Sequence, residues 1–162
     1  MTTSLLNRRG LLAGGGLVMA AGSAGLIAPA HAEGLEPTPS MPGGSNNYHP
    51  GAPIVERIGK GGFWMSGTVR RAGDGAPLAG QRIQVWAHTV EAYEDAWRSH
   101  GATLTDANGV FRIEIPQIIP AFGQPHGHFC YDSGAFRTVF LRPVMPSPKV
   151  TSLEAHFVLQ PV

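Results

Sequence analysis

Apolar side chains recur along this chain in short alternating or near-continuous runs, each bounded by residues that favour turns. The runs at 63–70, 81–87, 110–115, 126–131, 136–142 and 153–159 have the length and spacing of strands. In a strand every second side chain shares a face, so Leu153, Ala155, Phe157 and Leu159 would point to a core and His156 to solvent. Gly73-Asp74-Gly75 and Asp106-Ala107-Asn108-Gly109 supply residues that accept positive φ, and each predicts a reversal between strands. Six such strands predict an all-β fold over 54–162, a sandwich of mostly antiparallel strands. The stretch 90–97 is too short and too β-branched to insist on a helix, and reads as a loop or one or two helical turns. From 33 to 53 the chain is rich in Pro, Gly, Ser and Asn without apolar periodicity. It reads as an irregular arm that can lie over the sandwich but cannot nucleate it.

The first 32 residues have a different character. Asn7-Arg8-Arg9-Gly10-Leu11-Leu12 opens a moderately apolar, glycine-diluted stretch that ends in Ala30-His31-Ala32, small residues where a signal peptidase cuts. The arginine pair and the modest hydropathy resemble a twin-arginine export signal, so a periplasmic or secreted protein without a stable membrane anchor is expected.

Charge and composition narrow the classes further. The chain has 162 residues, 12 basic against 11 acidic, and cleavage after Ala32 would remove Arg8 and Arg9 but no acid. The mature protein is nearly neutral and lacks the basic field that nucleic acid requires. One cysteine cannot staple the fold, so stability must come from an apolar core. With 22 Gly and 14 Pro, a helical bundle is disfavoured.

His126-Gly127-His128 is the sharpest local chemistry. Residues i and i+2 of a strand face the same way, so two imidazoles there can grip one metal ion, with Gly127 leaving the opposite face unobstructed. The alternative is a pair of surface histidines. The Pro-studded approach from Pro116 to Pro125 delivers the pair rigidly, which suits a metal site.

Five segments, Ser66-Gly67-Thr68-Val69, Gly75-Ala76-Pro77-Leu78-Ala79-Gly80, Gln84-Val85-Trp86-Ala87-His88, Thr105-Asp106-Ala107-Asn108-Gly109-Val110-Phe111 and His126-Gly127-His128-Phe129, occur in this order. Together, across about 66–143, they resemble the catalytic core of the intradiol ring-cleavage dioxygenases, the catechol and protocatechuate dioxygenases. The resemblance implies a ferric ion held by two tyrosinates and two histidines, and carries over to Tyr93, His126 and His128 as ligands. A ferric ion would drive the proton off a phenol whose ordinary pKa is about 10, and the tyrosinate could then take a proton from a catechol. It implies, too, a small catechol-type substrate and O2, with the ring opened between its hydroxylated carbons to a diacid.

At two positions the sequence departs from the family's pattern. Pro120-Ala121-Phe122 stands where a second tyrosine is expected, and Gln124, placed here as a catalytic residue, stands where an arginine would steady the substrate's developing charge. Other donors can complete a site. Cys130 continues the 126, 128, 130 alternation, and His88 follows the Trp86 strand. A set of His, His and Cys, or of three His, would favour copper or zinc over ferric iron. Two readings follow: an exported iron dioxygenase, or a non-catalytic periplasmic sandwich that holds copper or zinc or binds a partner protein.

Overall fold

The computed structural model describes residues 34–162, and the export segment expected over 1–32 lies outside them. Seven strands form among the described residues: β1 (Gly62–Arg71), β2 (Arg82–Ala87), β3 (Gly101–Leu104), β4 (Val110–Pro116), β5 (Gly127–Tyr131), β6 (Val139–Leu141) and β7 (Ser152–Leu159). The sole helical feature among them is a 3-10 turn at Trp97–Ser99. Two sheets pack as a sandwich, one ordered β4-β1-β7 and the other β3-β2-β5-β6. β1 and β7 run parallel, and every other pairing is antiparallel.

Alternation places the core between the sheets. Phe63, Met65 and Val69 of β1 and Leu153, Ala155, Phe157 and Leu159 of β7 point inward, while Glu154 and His156 face solvent. They meet Ile83, Val85 and Ala87 of β2 and Phe129 and Tyr131 of β5. Burying each large apolar side chain of this kind contributes about 1.5–3 kcal/mol, which is how the chain dispenses with a disulfide.

The two sheets differ in their outer faces. The β4-β1-β7 sheet is wetted on one side, as the buried-exposed alternation of β1 and β7 shows. All five residues of β5 are buried, and so are the last five of β2. The outer face of that sheet is covered by the arm, whose backbone takes hydrogen bonds from Trp86 Nε1 at Asn46 O (3.0 Å) and from Gln84 Nε2 at His49 O (2.7 Å). The Tyr48 hydroxyl is bonded to Asp132, which also pairs with Arg82 (3.2 Å).

Strand β3 has no counterpart among the expected runs. Four residues with Gly101 at their head carry no period, and they become a strand because β2 and the segment at the arm's end pair with them: Ala102 N donates to Pro53 O (2.8 Å) and Val55 N to Ala102 O (2.9 Å). The run at 136–142 is trimmed to Val139–Leu141, since Phe136 instead bridges Pro161 at the chain's end. The turn at 106–109 joins the two sheets rather than neighbouring strands, with Asp106 Oδ1 accepting from Asn108 N (2.8 Å) and Val110 N (2.9 Å).

Gly67 is paired with Ala155 across β1 and β7. A Cβ there would sit 1.6 Å from the carbonyl oxygen of Ala155, which is backbone and cannot swing aside. Gly67→Ala is therefore expected to cost about 3 kcal/mol or more by overpacking, read as a lowered urea midpoint with an unchanged slope.

Candidate metal centre

The centre forms on the covered face of β5 and β2. Alternation along β5 sends Gly127, Phe129 and Tyr131 into the inter-sheet core and His128 and Cys130 to the other side, next to Trp86 and Gln84 of β2. Gly127 does not face open space. A Cβ there would meet Met65 Cε at 2.7 Å and Leu153 Cδ2 at 3.0 Å, so the glycine lies against the packed core beneath the histidines.

The chain between β2 and β3 carries the third member. It leaves the sheet at His88, turns at Thr89, whose hydroxyl oxygen accepts from Glu91 N and Ala92 N (3.2 Å each), and folds back over Trp86. Ala92 and Glu94 are buried while Tyr93 and Asp95 are exposed, so this loop presents Glu94, only 7% exposed, to the sheet. Glu94 Oε2 stands 3.2 Å from His126 Nε2 and 3.6 Å from His128 Nε2. The three ligand atoms all lie within 4.8 Å of one another, and this is the one such group of His, Cys, Asp and Glu among the described residues.

The remaining polar atoms orient these three. His126 Nδ1 lies 2.8 Å from Gln124 O, and His128 Nδ1 lies 2.9 Å from Gly44 O. A carbonyl can only accept, so each contact calls for Nδ1–H and leaves Nε2 facing Glu94. The Arg142 guanidinium is also 3.3 Å from His126 Nδ1, but the shorter carbonyl contact decides the tautomer. Glu94 Oε1 accepts from Asn47 Nδ2 at 2.7 Å.

Two of the converging atoms, Glu94 Oε2 and His128 Nε2, are buried without a hydrogen-bond partner. Leaving a carboxylate oxygen and a ring lone pair unpartnered in a dry site costs several kcal/mol in order of magnitude, about 1–3 per group and more for charged ones. A metal ion with Zn–N and Zn–O bonds near 2.1 Å sets ligand atoms about 3.0–3.4 Å apart in octahedral or tetrahedral geometry. The 3.2 Å separation falls within that range and the 3.6 Å separation lies just above it. The donors thus fit a cation, and the buried Glu/His/His cluster could bind one.

A dry aromatic wall backs the cluster. The Trp86 ring lies parallel to His128 (4.9 Å, 8°) and to His100 (5.3 Å, 14°), and His100 is in turn stacked with Trp97 (6.3 Å, 18°). His100 Nε2 donates to Glu94 O (2.9 Å), tying the loop to the stack. Burial pushes the His100 pKa down to about 4, and burial likewise lowers that of His128. On the outer side Glu94 borders a cleft of about 420 Å³ whose walls include His88, Tyr93, Asp95 and Phe122.

The expected site residues are distributed over these parts. His126 and His128 are in the cluster. Tyr93 is 70% exposed, its ring stacked on His88 (4.8 Å) at the cleft wall, and it is the adjacent Glu94 that meets the imidazoles. His88 lines the cleft and is outside the converging group. Cys130 shares the face of His128 but is also outside that group, and burial raises its thiol pKa, keeping it protonated. The Gln124 side chain is exposed, and the residue acts here through its main-chain carbonyl. Phe122 is 94% exposed with φ 51° at a tight turn.

Glu94, Asn47 and Gly44 were missed by sequence reasoning. Nothing local marks Glu94 against the exposed Glu91 and Asp95 beside it, and the irregular arm carries no period from which contacts with a strand 84 residues away could be read.

Neither a family model nor a curated protein matches the sequence. Solved structures do match the fold. A hydroxyquinol 1,2-dioxygenase from Pseudomonas putida DLL-E4 superposes with TM-score 0.59 at 14% identity, over 82% of this chain and 69% of that one. The dioxygenase domain of a carbohydrate-binding fusion protein from Streptomyces sp. SirexAA-E gives 0.59 at 19%, over 78% and 100%. A 3-chlorocatechol 1,2-dioxygenase from Rhodococcus opacus 1CP gives 0.55 at 16%, over 80% and 74%. The likeness is one of fold.

Two measurements check the site. Glu94→Gln removes the charge that a cation needs, so Zn2+ affinity measured by calorimetry should fall at least about 100-fold. The metal-free variant should nevertheless unfold at a higher urea concentration than the metal-free parent, because an unpaired buried charge is gone. The His100 ring resists a proton that the unfolded chain accepts near pH 6.5. Metal-free protein should lose stability as pH falls from about 6.5 through 4, and His100→Gln should make that decline shallower in urea titrations.

Proposed function

We propose that the protein is an exported, iron-dependent dioxygenase that opens a small catechol-type ring, with Glu94, His126 and His128 as the ion's protein ligands. The observation that carries this reading is the convergence of one buried carboxylate and two Nε2 atoms beside an open, aromatic-walled cleft, on a fold shared with 1,2-dioxygenases of hydroxyquinol and chlorocatechol. Two imidazoles and a carboxylate are the donor set of non-haem ferrous oxygenases. One carboxylate offsets a single charge, which favours a divalent ion, so the ferric state implied by a pair of tyrosinates gives way to Fe2+ in this proposal.

Iron, when bound, supplies the redox centre at which the diol and O2 meet. The chain's own residues do the rest. Glu94 balances charge, the carbonyls of Gln124 and Gly44 hold the imidazole tautomers, and the Trp86 stack keeps water from the rear of the site. Tyr93, His88 and Phe122 offer flat or apolar faces to a ring in the cleft, which Asn47 and Asp95 line with polar groups. Both oxygen atoms of O2 enter the product when the bond between the hydroxylated carbons breaks, so no external reductant is consumed. The residues at 1–32 would direct the folded protein through the twin-arginine route to the periplasm.

A second reading, a non-catalytic module holding zinc or copper, draws on the same donor set, which also suits Zn2+, and on Gln124, whose side chain is exposed. Protein loaded anaerobically with Fe2+ and then mixed with catechol or hydroxyquinol in air should consume one O2 for each diacid formed. His128→Ala should remove bound iron and turnover together. Stoichiometric iron with untouched catechol and no O2 uptake would overturn the enzyme in favour of the module.

A further inference from the structure

We propose that the arm belongs to the metal centre: Asn47 positions Glu94, the Gly44 carbonyl positions His128, and docking of the arm is thermodynamically linked to the ion. The inference rests on the assignment of Glu94, His126 and His128 as ligands. It adds that these residues, carried by the sandwich, make a tight site only when residues 41–49 lie over them.

Three observations carry it. Asn47 Nδ2 donates to Glu94 Oε1 at 2.7 Å, which leaves Oε2 free to face both imidazoles. Gly44 O accepts from His128 Nδ1 at 2.9 Å, and no residue nearer in sequence performs that task. The arm's backbone is shaped for the purpose. Asn47 adopts φ 57°, a left-handed conformation that asparagine and glycine tolerate best. Gly44 passes so close to β6 that a Cβ would stand 2.8 Å from the Phe140 carbonyl oxygen. An arm serving only to cover Trp86 would not need the amide at 47.

Groups that orient metal ligands commonly set affinity by about 10–100-fold. Linkage is reciprocal, so whatever factor the docked arm adds to ion binding, the ion adds to docking of the arm. The arm also has anchors independent of any ion, Trp86 to Asn46 O and Gln84 to His49 O, so it can remain on the sheet while the site is empty and tighten when it fills.

Asn47→Gly is the discriminating variant, because it removes the amide and leaves the left-handed backbone at least as comfortable. Zn2+ titration by calorimetry should show affinity reduced about 10–100-fold, with the metal-free urea midpoint lowered as well because Glu94 Oε1 loses its donor. Gly44→Ala, which pushes the carbonyl away from His128, should weaken Zn2+ as well. In hydrogen-exchange measurements on the unaltered chain, saturating Zn2+ should slow the amides of 44, 46 and 48 by a comparable factor, and slow them less in Asn47→Gly. Parental affinity in both variants, or arm amides indifferent to bound Zn2+, would overturn the inference while leaving the ligand assignment intact. Failure of the unaltered chain to bind Zn2+ or Fe2+ at all would overturn both.

Discussion

A carboxylate held almost out of water between two imidazoles is the demand around which this molecule is arranged. Glu94 carries charge into a place where Oε2 has no hydrogen-bond partner, and charge there is tolerable only with a cation or protons to meet it. The surrounding elements answer that demand together. The β2–β3 loop delivers the carboxylate, β5 and its approach deliver the imidazoles, and the arm supplies a donor and an acceptor that settle their orientation. Remove the cover and the same residues become an ordinary solvated sheet face.

The sandwich makes such a site possible by treating its two sheets unequally. One sheet keeps a wet outer face with polar alternation. The other is dry on both faces, with a hydrophobic core on one side and Trp86, stacked between His100 and His128, on the other. In that low-dielectric setting each polar contact counts for more than it would at the surface, favourably when paired and unfavourably when not. β5 serves both faces through a two-residue period: Phe129 and Tyr131 hold the sheets together, while His128 stands ready for an ion.

The fold is shared with 1,2-dioxygenases, yet a fold does not choose a donor set. The resemblance implied oxygen donors from tyrosine. In the structure Tyr93 stands at the cleft wall against His88, and its neighbour Glu94 is turned inward. A carboxylate beside two imidazoles could bind a metal ion, so a change of one position in which side chain faces inward changes the donors the site offers.

Local pattern was enough for the elements with a strong period. The strands at β1, β2, β4, β5 and β7, the turn at 106–109 and the shared face of His126 and His128 all follow from backbone geometry acting over two to four residues, which sequence records directly. The short edge strand β3, the trimming at Phe136, the role of Glu94 and the burial of the face that holds it were decided elsewhere. Each depends on contacts between segments tens of residues apart: β3 forms because β2 and the segment at the arm's end pair with it, and Glu94 turns inward because His100 and Asn47 hold its backbone and side chain. An aperiodic arm and a loop with three neighbouring acids offer equal local alternatives, and only packing, by making one arrangement dry and satisfied, selects among them.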